Sequence, residues 1–148
     1  MEFGSIEREV HIDASPETVF DVISTPEHIR EWWGGAETDL AATPGAVARI
    51  AWGDDTHVEQ LKVVEADPPR LFSFRWVFDD GTDSPSLLVT FELVPSGAGT
   101  LLRMTETGYR EKGWEIATLE AAYADHVRGW DLFVPAIAEY VARLVSTP

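Results

Sequence analysis

The chain has 148 residues, enough for one ordinary domain built around a single core. It carries 26 Asp and Glu against 11 Lys and Arg, a formal net charge of −15, with an isoelectric point near 4.4; no basic cluster interrupts that field, so nucleic acid and anionic membrane surfaces are poor partners. Cysteine is absent, which removes disulfides, thiolate zinc sites and cysteine nucleophiles together.

No run of about 18 apolar residues and no basic-then-apolar leader is present, so a cytoplasmic protein without membrane insertion is expected. Residues 1–5 are set aside, because Glu-Phe-Gly-Ser is what two adjacent common cloning sites, GAATTC and GGATCC, encode; residues 6–148 are read as a single domain. Ile6, Arg8, Val10 and Ile12 alternate with Glu7, Glu9 and His11, which predicts a half-buried strand with Arg8 as the one misfit on its apolar parity. Ser15 as N-cap, Pro16 at the first helical position and Glu17 against the positive end of the dipole open a short helix that runs to about Ser24. Thr25, Pro26 and Glu27 repeat the signal, and Gly34 is placed to end this second helix in the left-handed conformation. It carries adjacent Trp32 and Trp33, which in a regular helix point about 100° apart, so only one of them can fill the same core.

From Glu37 to Thr107 the period becomes two, with turn signals at 43–45, 53–55, 67–70, 79–85 and 95–99. Short connections join antiparallel neighbours, so these segments read as a six-stranded meander over 37–42, 46–52, 57–65, 71–78, 86–94 and 100–107. In the fourth, Phe72, Phe74, Trp76 and Phe78 share one face, with Ser73 and Arg75 on the other. Such a face needs a large apolar body opposite it. The last segment supplies one: from about Glu115 to Leu144 a stripe at spacings of three and four runs Leu119, Tyr123, His126, Val127, Trp130, Val134, Ile137, Val141 and Leu144. Pro135 lies inside it, and a kink near 131–134 is expected. At 1.5 Å per residue a helix of this length, about 45 Å, can lie across the whole sheet.

The segments "IDASPETVFDVISTPEHIREWWG", "VVEADPPRLFSFRW", "VTFELVPSGAGTLLRMTETGY" and "HVRGWDLFV", within a match from Ile6 to about Leu144, resemble the SRPBCC superfamily of START-like, birch-pollen-allergen-like helix-grip folds. Within it they are similar to the branch named for activators of the heat-shock protein 90 ATPase. The resemblance implies an α+β fold in which a seven-stranded antiparallel sheet grips the long helix, with a cavity between them for a hydrophobic small molecule. It also implies that the two short helices close one end of the grip, with one tryptophan anchored on the sheet and its neighbour, Trp33 on this view, at the cavity mouth. The eukaryotic activators carry an additional N-terminal domain that engages the chaperone; no counterpart stands in this sequence, which weakens the expectation of a chaperone partner.

Candidate ligand-binding residues are Trp33, Trp52, Phe74, Trp76, Tyr123, His126, Trp130 and Phe133, with Trp32 beside them, since ligand sites are mostly apolar with a few placed polar groups; taken singly, core packing is favoured for each, and only the set together favours a cavity. Glu106 shares the parity of Leu102 and Met104, so it points at the helix if they do, either as a functional acid or as half of a pair with Arg75, Arg103 or His126; the alternative is a strand end that frays and leaves Glu106 in solvent. His126, four residues before Trp130, could hydrogen-bond a ligand or act as general base. These two are the catalytic candidates. His11, His28 and His57 are scattered without metal-ligand spacing, and no phosphate loop, nucleophile elbow or dinucleotide fingerprint is present, so neither a metal nor a cofactor is expected. Three functions follow in order: binding of a lipid-like or aromatic small molecule; a cofactor-independent cyclase, dehydratase or hydrolase acting on a polyketide or aromatic substrate; and a co-chaperone acting through its surface.

Overall fold

The computed structural model describes residues 5–53, 55–77, 87–109 and 115–146. In chain order the elements are β1 (Ser5–Ile12), α1 (Pro16–Ser24), α2 (Pro26–Trp32), β2 (Glu37–Thr38), β3 (Val47–Trp52), β4 (His57–Asp67), β5 (Leu71–Val77), β6 (Leu88–Ser96), β7 (Gly99–Thr107) and α3 (Ile116–Ser146). The strands form one antiparallel sheet in the order β1-β7-β6-β5-β4-β3-β2. Consecutive strands from β2 to β7 are neighbours, and β1 closes the far edge against β7. This is the helix-grip architecture, with α3 laid over the sheet.

Local chemistry sets the ends. The Ser15 hydroxyl accepts from Thr18 N at 3.2 Å and caps α1. Thr25 makes no such bond; its hydroxyl donates to Asp21 Oδ1 at 2.8 Å, so α2 begins on Pro26 without a side-chain cap. The strand expected over 37–42 stops after two residues. There the Thr38 hydroxyl donates to Arg49 O, Leu40 N donates to the same hydroxyl, and Arg49 N donates to Asp39 Oδ1. Side chains thus replace the ladder's backbone partners. In β4 the register against β5 shifts between Val63 and Glu65, a bulge at Val64 that brings Ala66 as well as Leu61 and Val63 opposite the inner aromatics.

That inner face is the core: Phe72 and Phe74 are 1% exposed and Trp76 5%, while Ser73 and Arg75 take the other parity. Phe78 and the 79–85 turn lie outside the described residues. On α3 the stripe is buried at Leu119, Trp130, Val134, Ile137 and Val141, but Leu144 is exposed. Arg8, the misfit of β1, uses its helix-facing parity to reach α3: its Nε donates to Asp131 Oδ1 at 2.6 Å, a bond that raises the guanidinium above its ordinary value. The helix is continuous through Pro135, whose missing amide leaves one rung out of the ladder.

Candidate functional site

Between the sheet and α3 lies a cleft of about 380 Å³. From the sheet side Trp52, His57, Glu59 and Trp76 border it, and Trp33 walls it from the end of α2. Helix α3 contributes one face at spacings of three and four: His126, Gly129, Trp130 and Phe133, with Asp125, Arg128 and Leu132 at the edges. Its polar outer groups pair with one another, His57 with Glu59 at 3.3 Å and Arg128 with Asp125 at 3.5 Å. The inner walls are aromatic.

The tryptophan pair departs from the helical expectation. Trp33 is the C-cap of α2, at φ −109° and ψ 53°, so the 100° step does not apply to it. The two rings instead stack face to face, 5.0 Å between centroids and 7° between planes. Trp32 is 2% exposed and donates from Nε1 to Val22 O at 2.9 Å. Trp33 is scarcely more exposed, 5%, and contacts Trp52, Trp76, Trp130 and Phe133 at 5.6–6.5 Å between centroids. It is therefore a wall of the cleft rather than a loose rim residue. Gly34 follows at φ +63°, where a side chain would be strained, and Trp52 Nε1 locks the corner by donating to Trp33 O at 2.7 Å.

Behind one wall lies a fully buried carboxylate. Glu106 is 0% exposed and four donors converge on it: Trp76 Nε1 on Oε2 at 2.9 Å, and His126 Nδ1 at 2.8 Å, Trp130 Nε1 at 3.2 Å and the Tyr109 hydroxyl on Oε1. Gly108, at φ +110°, turns the chain so that Tyr109, only three residues on, bends back to reach it. Of the partners expected for Glu106 the structure uses His126; Arg103 pairs with Glu9 and Glu92 instead. Burial and the neighbouring carboxylate push the Tyr109 phenol far up, so it serves as a donor. For His126, burial is the largest influence and acts downward. The hydrogen bond and charge of Glu106, with Asp125 and Glu59 adding theirs, outweigh it and hold the imidazole above its ordinary value. Because Nδ1 faces a carboxylate it bears the proton, and Nε2 is left as the nitrogen that can exchange one.

A family model described as activator of Hsp90 ATPase homolog 1-like protein matches residues 13–142. The chain belongs to that family. Among solved structures, protein MLL2253 of this fold from Mesorhizobium loti is 24% identical, with a TM-score of 0.78 over 94% of this chain and 97% of that one. The Aha1 dimer from Colwellia psychrerythraea is 18% identical, with a TM-score of 0.72 over 93% and 95%. DynU16, a protein of the dynemicin biosynthetic locus, is 22% identical with a TM-score of 0.74; 94% of this chain covers 47% of that one. A search of curated proteins returned no match. The family match places the chain in the activator-of-Hsp90-ATPase branch, and the likenesses to solved structures show its fold.

For this member of the family, the structure brings Trp33, Trp52, Trp76, His126, Trp130 and Phe133 to one cleft. Two candidates lie elsewhere: Phe74 sits beneath, packed on Trp33 and Trp76, and the Tyr123 hydroxyl donates to Ser5 O while its ring meets Tyr109. Glu106 is behind His126 and does not border the cleft. Tyr109, Glu59, Asp125 and Gly129 carried no sequence signal of a site, since their relation to it is made only by the packing of β4, β7 and α3. Among the described residues, no group of three or more His, Cys, Asp or Glu could hold a metal ion, and no helix is long and apolar enough to cross a membrane.

Proposed function

We propose that the protein binds a hydrophobic small molecule, aromatic or lipid-like, in the cleft between sheet and helix α3. The observation that carries this reading is the wall of Trp33, Trp52, Trp76, Trp130 and Phe133 around about 380 Å³, within the range of about 300–1,000 Å³ usual for small-molecule sites. Rings supply large apolar contact area and favour edge-to-face or offset partners, so aromatic ligands fit the walls best. The test is titration with a fluorescent apolar probe, competed by fatty acids and by polycyclic aromatics, alongside native mass spectrometry of protein purified from its own host. Saturable binding that aromatics displace supports the reading; a probe that binds no better than to an unrelated acidic protein removes it.

His126 supports a second reading, a cofactor-independent enzyme of the cyclase or dehydratase kind. Its imidazole borders the cleft with a buried carboxylate at its back, the arrangement of a general base with its orienting partner. Nε2 would take a proton from a carbon next to a carbonyl of the bound molecule, the electron pair passing to the carbonyl oxygen, and return that proton later. Exchange of solvent deuterium into the methyl group of 2-acetylnaphthalene, present with wild type and lost in His126→Phe, is the expected sign; no exchange above buffer leaves binding alone. The chaperone partner suggested by the family description ranks behind both.

A further inference from the structure

Five tryptophans lie among the described residues, and four of their indole N–H groups are spoken for. Trp32 donates to Val22 O, Trp52 to Trp33 O, and Trp76 and Trp130 to Glu106. Trp33 Nε1 has no partner, although the residue is 95% buried by its 5% exposure. His126 Nε2 is in the same position, its ring bonded only through Nδ1. Among the described residues no fully buried side-chain nitrogen or oxygen is left unpartnered, so both atoms reach open space, and the space both residues border is the cleft. An aromatic enclosure with two unsatisfied polar atoms calls for a ligand that supplies their partners.

Gly129 adds a third observation. Inside a helix, glycine in place of alanine costs roughly 0.5–1 kcal/mol, yet nothing in the protein requires it at this position. Its φ is not in the left-handed region, and an added Cβ would meet only the Phe133 ring at 3.8 Å, an ordinary contact. What the missing side chain leaves is bare helix backbone in the cleft wall, between His126 and Phe133 on one face.

We infer that the cleft is built for an oxygen-bearing planar aromatic: an acceptor oxygen takes the Trp33 Nε1–H, an acidic hydroxyl sits on His126 Nε2, and the ring lies against the backbone at Gly129. This rests on the apolar-binding reading above and names its ligand class. A hydroxyl of phenolic or enolic kind suits His126 in either state, because it donates to a neutral Nε2 and, once ionised, accepts from the imidazolium. Trp33 can only donate, so its partner is a carbonyl or ether oxygen rather than a second N–H donor.

The test uses one ring system with groups added singly: naphthalene, 2-acetylnaphthalene and 6-acetyl-2-naphthol, titrated into the full chain by calorimetry. Each added oxygen is expected to tighten binding by about five- to tenfold, and methylating the naphthol hydroxyl should remove the last step. Trp33→Phe, which keeps a ring in the wall, should erase the acetyl increment, and His126→Phe the hydroxyl increment. Gly129→Ala should melt at the same or a higher temperature while weakening all three ligands by about fivefold or more. Wild-type titrations alone decide the matter if a variant fails to fold. Equal affinities across the series would overturn this inference and leave the apolar site standing; absence of binding by all three, naphthalene included, would remove both; unchanged affinity in Gly129→Ala would overturn the ring placement.

Discussion

Two clusters in this protein each join a histidine, a carboxylate and a tyrosine, and they are not equivalent. At the junction of the helices His28 sits between Asp21 and Tyr140, with Nε2 3.2 Å from Asp21 Oδ2 and Nδ1 2.7 Å from the Tyr140 hydroxyl. Beneath the cleft His126 meets Glu106, which also holds Tyr109. In the first cluster both imidazole nitrogens are occupied and the Asp21 side chain is 63% exposed; it ties α1, α2 and α3 together and has no free valence. In the second the carboxylate is completely buried, and the imidazole keeps one nitrogen open to an aromatic cleft. The functional groups are shared; burial and the spare nitrogen decide which cluster can act on another molecule.

The sharpest way to break that comparison is to remove each carboxylate. Glu106→Ala strands three buried donors, from Trp76, Trp130 and Tyr109, beside a half-buried imidazole. It is expected to cost about 3–5 kcal/mol in denaturant unfolding, a large part of a stability of about 5–15 kcal/mol. Next come the phenols. Tyr109→Phe deletes a buried donor to a carboxylate and should cost about 1.5–3 kcal/mol, whereas Tyr140→Phe, at the more open cluster, should cost less than about 1 kcal/mol in the same assay. Similar losses for the two would mean that burial does not separate the clusters.

A pH series sharpens it further. The His126 imidazole is held above its unfolded value of about 6.5, so below that value both states are protonated and its contribution to stability is complete. As pH rises through the raised native value the imidazolium loses its proton and that contribution fades. The stability gap between wild type and His126→Gln should therefore be wider near pH ~5.5 than near pH ~8.5; a gap that widens towards alkaline pH would contradict the assigned pairing. The smallest effect is expected from Asp21→Asn, which loosens an exposed ion pair and should change stability by no more than about 1 kcal/mol.

Periodicity and capping made most of the fold legible before any coordinates. The alternation in β1, the Ser15-Pro16 helix start, the aromatic face of β5 and the stripe on α3 are local patterns, and each follows from how many residues a repeat needs to return to one face. Even the burial of Glu106 could be read, because parity with Leu102 and Met104 is a property of the strand. Where the expectation failed, a side chain had taken over a backbone role: Thr38 and Asp39 cut β2 to two residues, and Trp33 left helical geometry at the end of α2, so the two indoles stack.

What the sequence determined by itself was thus the set of elements, their faces and the presence of a carboxylate and a histidine turned towards the same interior. Only tertiary structure decided that Glu106 meets His126 rather than Arg103, that Trp76 and Trp130 from opposite layers donate to the same carboxylate, and that Trp33 Nε1 and His126 Nε2 are the atoms left open. Those facts depend on distances between β5, β7, α2 and α3, set by the twist of the sheet and the crossing of the helix. A one-dimensional pattern fixes which way a side chain points from its own element, and it carries no record of which atom from another element arrives to meet it.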